Sequence, residues 1–518
     1  MSKHGRSRGQ VRPQAKGYSE AGASFTRRAM KGFTAQSGSP SEDIDRNNMT
    51  LRQRARMLYM SSPVATAAIN TNRTKVVGMG LTLESYVDTD TLHISPALAK
   101  AWQQQAEAEF HLWADDRLNC DALGLNNFSD LQQLAFKSWF LSGDAFVLIK
   151  RAEPTPLNPY SLRLQVIEAD RIRTPVEFSF KPNATVPDGY PGAGHDVRDG
   201  VEIDDTGRVI AYYVHNNYPG QPANPKKPWV RVEAVGKETG LPNILPIMAS
   251  ERPDQYRGVP YLAQVIEPLL QLRRYTEAEL TAAVIQSFFT AWIETEADTT
   301  QLPISNVGSG VPGENPDEEE DDDDTEYNIG PGTVIHLKKG EKVHFGDPNI
   351  PTAGFETFVR TNCKLIGAAL EIPYDVLIKE FNSSYSASRG ALLEAYEAFK
   401  MRRRWFVDCF CRPVYQIFLS EAVALGRLKA PGFFVDPLVR KSWCGAEWIG
   451  PVQGQLDPLK EVKAATEQVK HGFKSHEQIT REMGGGDWAD NVQRLKDENK
   501  QLRDANGKMP QTDPGTSE

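Results

Sequence analysis

The sequence has little cysteine and no long apolar run. Its five cysteines (Cys120, Cys363, Cys409, Cys411 and Cys444) are scattered through 518 residues. An odd number so dispersed excludes a paired disulfide framework and suits a reducing compartment, so five free thiols are expected. The most apolar stretch, Leu280 to Ile293, covers 14 residues, short of the roughly 20 that a helix needs to cross a bilayer. The opening MSKHGRSRGQVRPQAKG is charged and has no apolar segment behind it, which argues against a secretory signal. The expectation is a soluble, intracellular chain with no membrane partner. Also missing are G-x-x-x-x-G-K-[ST], G-x-S-x-G and H-E-x-x-H. A P-loop ATPase, an esterase elbow and a zincin are therefore not indicated, because each chemistry needs those groups at those spacings.

What is present is ordinary globular material. The chain is 40% hydrophobic, and its length suggests two to four packed units. The net charge of −9 is unevenly placed: residues 1–56 carry twelve Lys/Arg against four Asp/Glu, and ten of the thirteen positions 314–326 are acidic. A generally basic nucleic-acid binder would look different.

Residues 1–45 are rich in Gly, Ser, Arg and Lys and are read as a disordered basic segment. Helical text begins where Thr50 and Gln53 have capping-box spacing. It restarts at Ser62-Pro63 and stops at Gly78. A third helix is expected over about Pro96 to Asp116, with Leu98, Trp102, Ala106, Phe110 and Trp113 on one stripe, and a fourth over Phe128 to Leu141. From Asp144 to Ala249 short β-rich runs take over, with a hairpin turn at Asp204–Gly207, so the first half reads as α+β. Tyr261 to about Glu296 is the longest helical stretch. TVIHLKK (333–339) reads as a strand, Ala353 to about Glu371 as a helix, and Ser386 to about Leu425 as a very long helix interrupted near Pro413. Two or three short helices are expected after 456.

Several motifs match only by letter. Gly308, Gly310 and Gly313 fit G-x-G-x-x-G, but Pro312, Pro316 and the acids that follow make this a flexible loop rather than a phosphate cradle. The run Glu318, Glu319, Glu320, Asp321, Asp322, Asp323, Asp324 lacks the spacing of a calcium loop and reads as a solvated acidic loop. Cys409 and Cys411 point to different faces of a helix and read as buried small side chains, and no metal site is expected. Arg402, Arg403 and Arg404 cover most of a helix circumference. They read as a solvated or ion-paired surface, with contact to a neighbouring subunit or DNA as the alternative. Val492, Leu495, Asn499 and Leu502 have a/d spacing, taken as a packed terminal helix.

The order of landmarks carries more than any one of them. RQRARMLYMSSPVATAAINTNRTKVVGMGL (52–81), FHLWADDRLNCDALGLNNFSDLQQLAFKSWFLSGDAFVLI (110–149) and LQVIEADRIRTP (164–175) come first. RPDQYRGVPYLAQVIEPLLQLRRYTEAELTAAVIQ (252–286), ALEIPYDVLIKEFNSSYSASRGALLEAYEAF (369–399) and DPLKEVKAATEQVKHGFKSHEQITREMGGGDW (457–488) follow. In this order the chain resembles the lambda-type portal proteins of tailed bacteriophages, over roughly 45–500; the acidic insertion departs from the pattern.

The resemblance implies an α+β portal-type subunit: an α+β wing, long stem helices, a small α/β clip and a helical C-terminal crown. It places the wing at 46–260, the first stem helix at 261–292, the clip with its acidic loop at 293–350, and the second stem helix at 353–371. It further implies a tunnel loop at 372–385, a long wing helix at 386–426, the crown at 427–505 and a disordered tail at 506–518. The implied role is a homo-oligomeric ring of about twelve subunits at one capsid vertex, assembled in the host cytoplasm. Double-stranded DNA passes through it during packaging and ejection. Expected partners are the terminase large subunit, the major capsid and scaffold proteins and a tail adaptor. No cofactor and no catalytic residue is implied, and Lys379, Asn382 and Tyr385 are the candidate channel-loop contacts. A conduit must release its cargo, since a protein pairing 6–10 phosphates would bind DNA strongly and stall it; a neutral to acidic lumen is therefore expected. The competing readings are a metal-dependent DNA-processing enzyme and a monomeric nucleic-acid-binding adaptor.

Overall fold

Ser39 and Glu42 cap each other, Ser39 N–H donating to Glu42 Oε2 at 3.1 Å and Glu42 N–H to Ser39 Oγ at 3.3 Å. From there a wide helical turn over Ser41–Asp45 runs directly into the first helix. The functioning box thus lies upstream of Thr50, which sits inside the helix, and the described end of the basic segment is ordered. Ile44 and Asp45 are buried, and Asp43 pairs with Arg252 at 2.6 Å. The computed structural model describes residues 23–24, 27–222, 228–287, 291–295, 341–345, 354–380, 385–452, 458–484, 486 and 488–506.

In chain order the elements begin with α1 (Arg46–Ser61), α2 (Pro63–Val76), β1 (Thr82–Ser85), α3 (Thr89–Leu92), α4 (Pro96–Ala114), α5 (Arg117–Cys120) and α6 (Phe128–Ser142). Strands β2 (Asp144–Arg151), β3 (Leu162–Glu168), β4 (Asn183–Thr185), β5 (Asp196–Arg198), β6 (Val201–Ile203), β7 (Val209–His215), β8 (Trp229–Glu233) and β9 (Ile244–Met248) follow. Then come α7 (Ile266–Ser287), β10 (Ala291–Thr295), β11 (Glu341–Phe345), α8 (Phe355–Ala369), α9 (Tyr374–Ile378), α10 (Tyr385–Phe406) and α11 (Arg412–Ala424). The last elements are α12 (Pro437–Trp443), β12 (Ala446–Ile449), α13 (Pro458–Lys470), α14 (His476–Glu482) and α15 (Trp488–Asn506).

The α+β expectation holds. β2 is the centre of an antiparallel sheet ordered β3-β2-β9, and β4 to β8 form a second sheet in sequence order. The turn before β7 closes as expected, with Gly207 N–H donating to Asp204 O at 2.9 Å. Ser95 and Asn127 cap α4 and α6 through Leu98 N–H and Asp130 N–H, the orphan donors that such residues satisfy.

The expected long helices are shorter. Helix α7 ends at Ser287, and Ala291–Thr295 instead pairs antiparallel with Glu341–Phe345. Trp292 and Ile293 belong to a β-favouring stretch that gains a ladder partner, and pairing overrides the continued helical pattern. The expected strand 333–339 lies outside the described residues. The helix after Tyr385 widens into a π turn at Val407–Cys411 just before Pro413, because proline offers no N–H to the carbonyl four residues back.

One core joins the helical layer to distant chain. The Phe110 ring lies 5.2–5.9 Å from Phe128, Tyr415, Phe418 and Trp448, and β12 pairs with β1. Residues 427–449 therefore belong to this core rather than to a separate C-terminal unit. Among the expected buried thiols, Cys411 is buried and Cys409 half-buried. The terminal helix α15 leaves Leu495 and Leu502 exposed, so within one chain its a/d stripe is not packed as expected.

Candidate functional site

Two arginines fix the ends of the α7–α8 pair in the body. Upstream of α7, Arg257 and Asp144 are both fully buried and joined at 2.7 Å (Nε to Oδ2). Asp144 Oδ2 also accepts from Gly258 N–H at 2.9 Å, and Arg257 donates to the Ile172 and Ala169 carbonyls at 2.8 and 3.0 Å. Arg52 of α1 approaches the same carboxylate at 3.5 Å and donates to Ser142 O at 3.1 Å. Burial would raise the Asp144 carboxyl, but the guanidinium groups of Arg257 and Arg52 hold it below the usual carboxylate range. The backbones of Gly143 and Gly258 pass so close that a Cβ on Gly258 would lie 1.8 Å from Gly143 O; only glycine fits.

At the end of α8, Gly367 plays a similar steric role: a Cβ there would stand 2.5 Å from Ile372 O. The chain turns back through Glu371, at φ 52°, and Ile372 N–H donates to Gly367 O at 2.9 Å. Arg402 of α10 closes over this turn. Its Nη1 donates to Asn72 Oδ1 at 2.8 Å and its Nη2 to Leu370 O at 3.1 Å and Glu371 Oε2 at 2.7 Å. Its guanidinium lies 5.1 Å from the Tyr261 ring centre and 5.9 Å from that of Phe140, adding cation–π attraction. The Tyr261 hydroxyl donates to Leu370 O, and burial pushes it up to about 12. The α8 C-terminus, α2 and the approach to α7 thus meet on one side chain.

Beyond this clamp the chain forms α9 and ends it at Lys379, φ 62°, where the backbone takes the left-handed turn. Tyr374 OH donates to Glu380 Oε2 at 2.8 Å across α9. Lys379 borders a groove of about 750 Å³ between α2 and α9–α10, with Met60, Thr66, Asn70, Lys75 and Val376 among its walls. The groove is mostly apolar, with the Thr66 hydroxyl turned to the Tyr59 carbonyl, and Lys75 and Lys379 bring ammonium groups to its walls, which can meet an anion as point charges.

The remaining expected site residues separate. Asn382 and the acidic run Glu318 to Asp324 lie outside the described residues, and Tyr385 opens α10. The arginine triplet is not one surface: Arg402 is buried, and Arg403 donates to Val76 O at 2.9 Å, Lys75 O at 2.8 Å and Pro451 O at 2.7 Å. Arg403 thereby satisfies the terminal carbonyls of α2, where a cation also complements the helix dipole. Only Arg404 projects outward, 84% exposed and 4.0 Å from Asp408. Successive residues on a helix point about 100° apart, so the triplet spans core, flank and solvent. Sequence reasoning missed Asn72, Tyr261, Gly367 and Glu371. Their roles arise from chain segments far apart in sequence, and no local spacing announces them.

Comparison with known proteins gives a consistent picture. The family model for phage portal proteins of the lambda family matches residues 26–403. Portal protein B of Escherichia phage lambda is 23% identical over 86% of this chain and 83% of its own length. The portal protein of Escherichia phage N15 is 23% identical over 90% and 87%. A probable portal protein of Halomonas phage phiHAP-1 is 25% identical over 87% and 80%. Among solved structures, a chain from the neck of the native gene transfer agent particle, computed with C12 symmetry, is 13% identical with a TM-score of 0.41. That match covers 84% of this chain and 92% of the other.

Proposed function

The chain belongs to the lambda family of phage portal proteins, and from that premise we propose how its parts serve a DNA conduit. As a family member it is a structural, non-enzymatic virion component that forms a homo-oligomeric ring, and the family's role is packaging DNA and docking terminase.

In our reading about twelve copies close the ring and double-stranded DNA slides through its lumen. Residues 46–260 form the wing, α7 and α8 the stem, and 293–350 the clip that meets the terminase large subunit. Capsid and scaffold proteins contact the outside of the ring, and a tail adaptor replaces the motor after packaging. Assembly takes place in the host cytoplasm. The long helix after Tyr385 and the segment to Ile449 return to the wing, so the crown begins near Pro458 rather than at 427. The acidic loop decorates the clip, and deleting 314–326 should leave ring formation intact.

The observation that carries this reading is the clamped turn between α8 and α10. Arg402 anchors the base of the loop 372–385 while Lys379 stands at its rim. A loop held at its base and carrying isolated polar contacts such as Lys379, Asn382 and Tyr385 can touch phosphates without pairing many at once. Arg404 is the one member of its triplet free to face a neighbour or DNA. Cryo-EM of the assembled protein tests the assignment. It predicts a closed ring with Lys379 on a neutral to acidic lumen wall; a map placing Lys379 on the outer rim overturns it.

A further inference from the structure

Helix α15 ends the described chain with a stretch that no described residue of its own subunit covers. Its first turn leans on α14, where the Trp488 ring stacks on His476 at 5.4 Å. From Gln493 to Asp504 every residue is exposed. A helical stretch this short, without tertiary packing, is marginal in water. It needs a partner.

The pattern of α15 specifies what fits. Trp488, Val492, Leu495, Asn499 and Leu502 are spaced alternately four and three apart, which makes them the d, a, d, a and d positions of a coiled-coil seam. Leu495 and Leu502 are 54% and 59% exposed, and every residue off the seam between Gln493 and Asp504 is polar or charged. Along the helix four Asp/Glu balance four Lys/Arg. That balance favours neither DNA, which selects a basic surface, nor a partner of one charge.

A second copy of α15 answers the seam when the two helices run parallel and in register. Asn499, at an a position, then meets the partner's Asn499, and each amide has a donor and an acceptor to exchange. Glu498, at g, faces the partner's Arg503, at e, and symmetry repeats that pair on the other flank. An antiparallel pair would instead set Asn499 against leucine and bring Lys496 and Arg503, both at e, against the same positions of the other helix. Charge and the polar layer therefore select the parallel arrangement. Val492 at a with leucine at d favours two strands.

We propose that α15 joins adjacent copies as a parallel, in-register, two-stranded coiled coil through Val492, Leu495, Asn499 and Leu502. Its placement between neighbours rests on the ring reading above, since rotation about a ring axis keeps helices that run along that axis parallel. One seam serves one neighbour, so the copies pair two by two. Gly484 and Gly486, at φ 76° and 75°, stand just before α15, where glycine lets the chain redirect the helix.

The test is mild oxidation of the full chain carrying Leu502→Cys on the seam or Asp497→Cys on the opposite face, with wild type and its five cysteines setting the background. Thermal unfolding confirms that each variant folds like wild type. On a non-reducing gel Leu502→Cys should give a dimer of two 57.7 kDa chains, and Asp497→Cys only background. Adding Glu498→Arg to Leu502→Cys should lower the dimer yield several-fold, and adding Arg503→Glu as well should restore it. Equal yields at the two cysteine positions, or a yield indifferent to the charge reversals, overturns the parallel pairing. Rings that assemble without Leu502→Cys dimers also overturn it and leave the ring reading standing, whereas dimers in a protein that never forms rings uphold the pairing and remove the ring reading.

Discussion

The Arg257 knot, before α7, and the Arg402 clamp, after α8, hold the same end of one helix pair in the body by different physics. Arg257 faces the fully buried Asp144 carboxylate and the Asp199 carboxylate at 2.8 Å, Arg52 joins them, and backbone groups of Ala169, Ile172, Asp199 and Gly258 close around the cluster. Arg402 faces mostly neutral acceptors, and its one carboxylate partner, Glu371, is 57% exposed. Removing one member of an enclosed ion pair strands the other in a low dielectric. Loosening the Arg402 guanidinium leaves the buried acceptors of Asn72 and Leu370 unpaired, while only the exposed Glu371 carboxylate can turn to water. The first arrangement fixes the entry to α7, and the second ties the turn after α8 to α2 and α10.

The largest effect should come from breaking the knot. Asp144→Ala removes the fully buried counter-ion of Arg257 and Arg52 and leaves them sharing the Asp199 carboxylate, at 2.8 and 3.5 Å, and denaturant unfolding should show a loss of about 3 kcal/mol. Arg402→Met keeps the packing over Tyr261 but loses the polar bonds, for a loss of about 2 kcal/mol. Limited proteolysis should then cut near Lys379 sooner than in wild type while residues 46–260 remain protected; equal protection of both regions would erase the difference between the two anchors.

A smaller, pH-dependent effect belongs to Asp45, beside the knot. Burial raises its carboxyl to about 6, against the lowering hydrogen bond from Ser41. A folded value above the unfolded one favours the protonated form in the fold. Its stabilising contribution is full below about pH 4 and is lost as pH rises through about 6. Asp45→Asn should remove that decline, so that the variant gains stability relative to wild type across this window in chemical denaturation. The smallest effect is expected at the loop. Lys379→Ala should shift unfolding by less than about 0.5 kcal/mol, while reducing DNA packaging in a complementation assay if the loop touches DNA.

Local rules made much of the fold legible. Ser95-Pro96, Asn127, the stripe through Trp102, Phe110 and Trp113, and the Asp204–Gly207 turn each place an element by contacts within a few residues. The ordered set of motifs likewise made the family legible. Where competing local signals met, the sequence misled: Thr50 mimicked a cap that Ser39 supplies, and Ala291–Thr295 continued a helical pattern but found a strand partner.

The sequence by itself determined the α+β class, most helix and strand positions and the family, because periodicity, caps and turn chemistry act over short range. Only the tertiary structure decided that Arg402 is a buried clamp, Arg403 a cap for α2 and Arg404 an exposed group beside Asp408, and that residues 427–449 join the main hydrophobic core. Those roles depend on what lies across the chain from each side chain, through the long-range contacts of Asn72, Leu370, Val76 and Phe110, whose partners local spacing does not reveal.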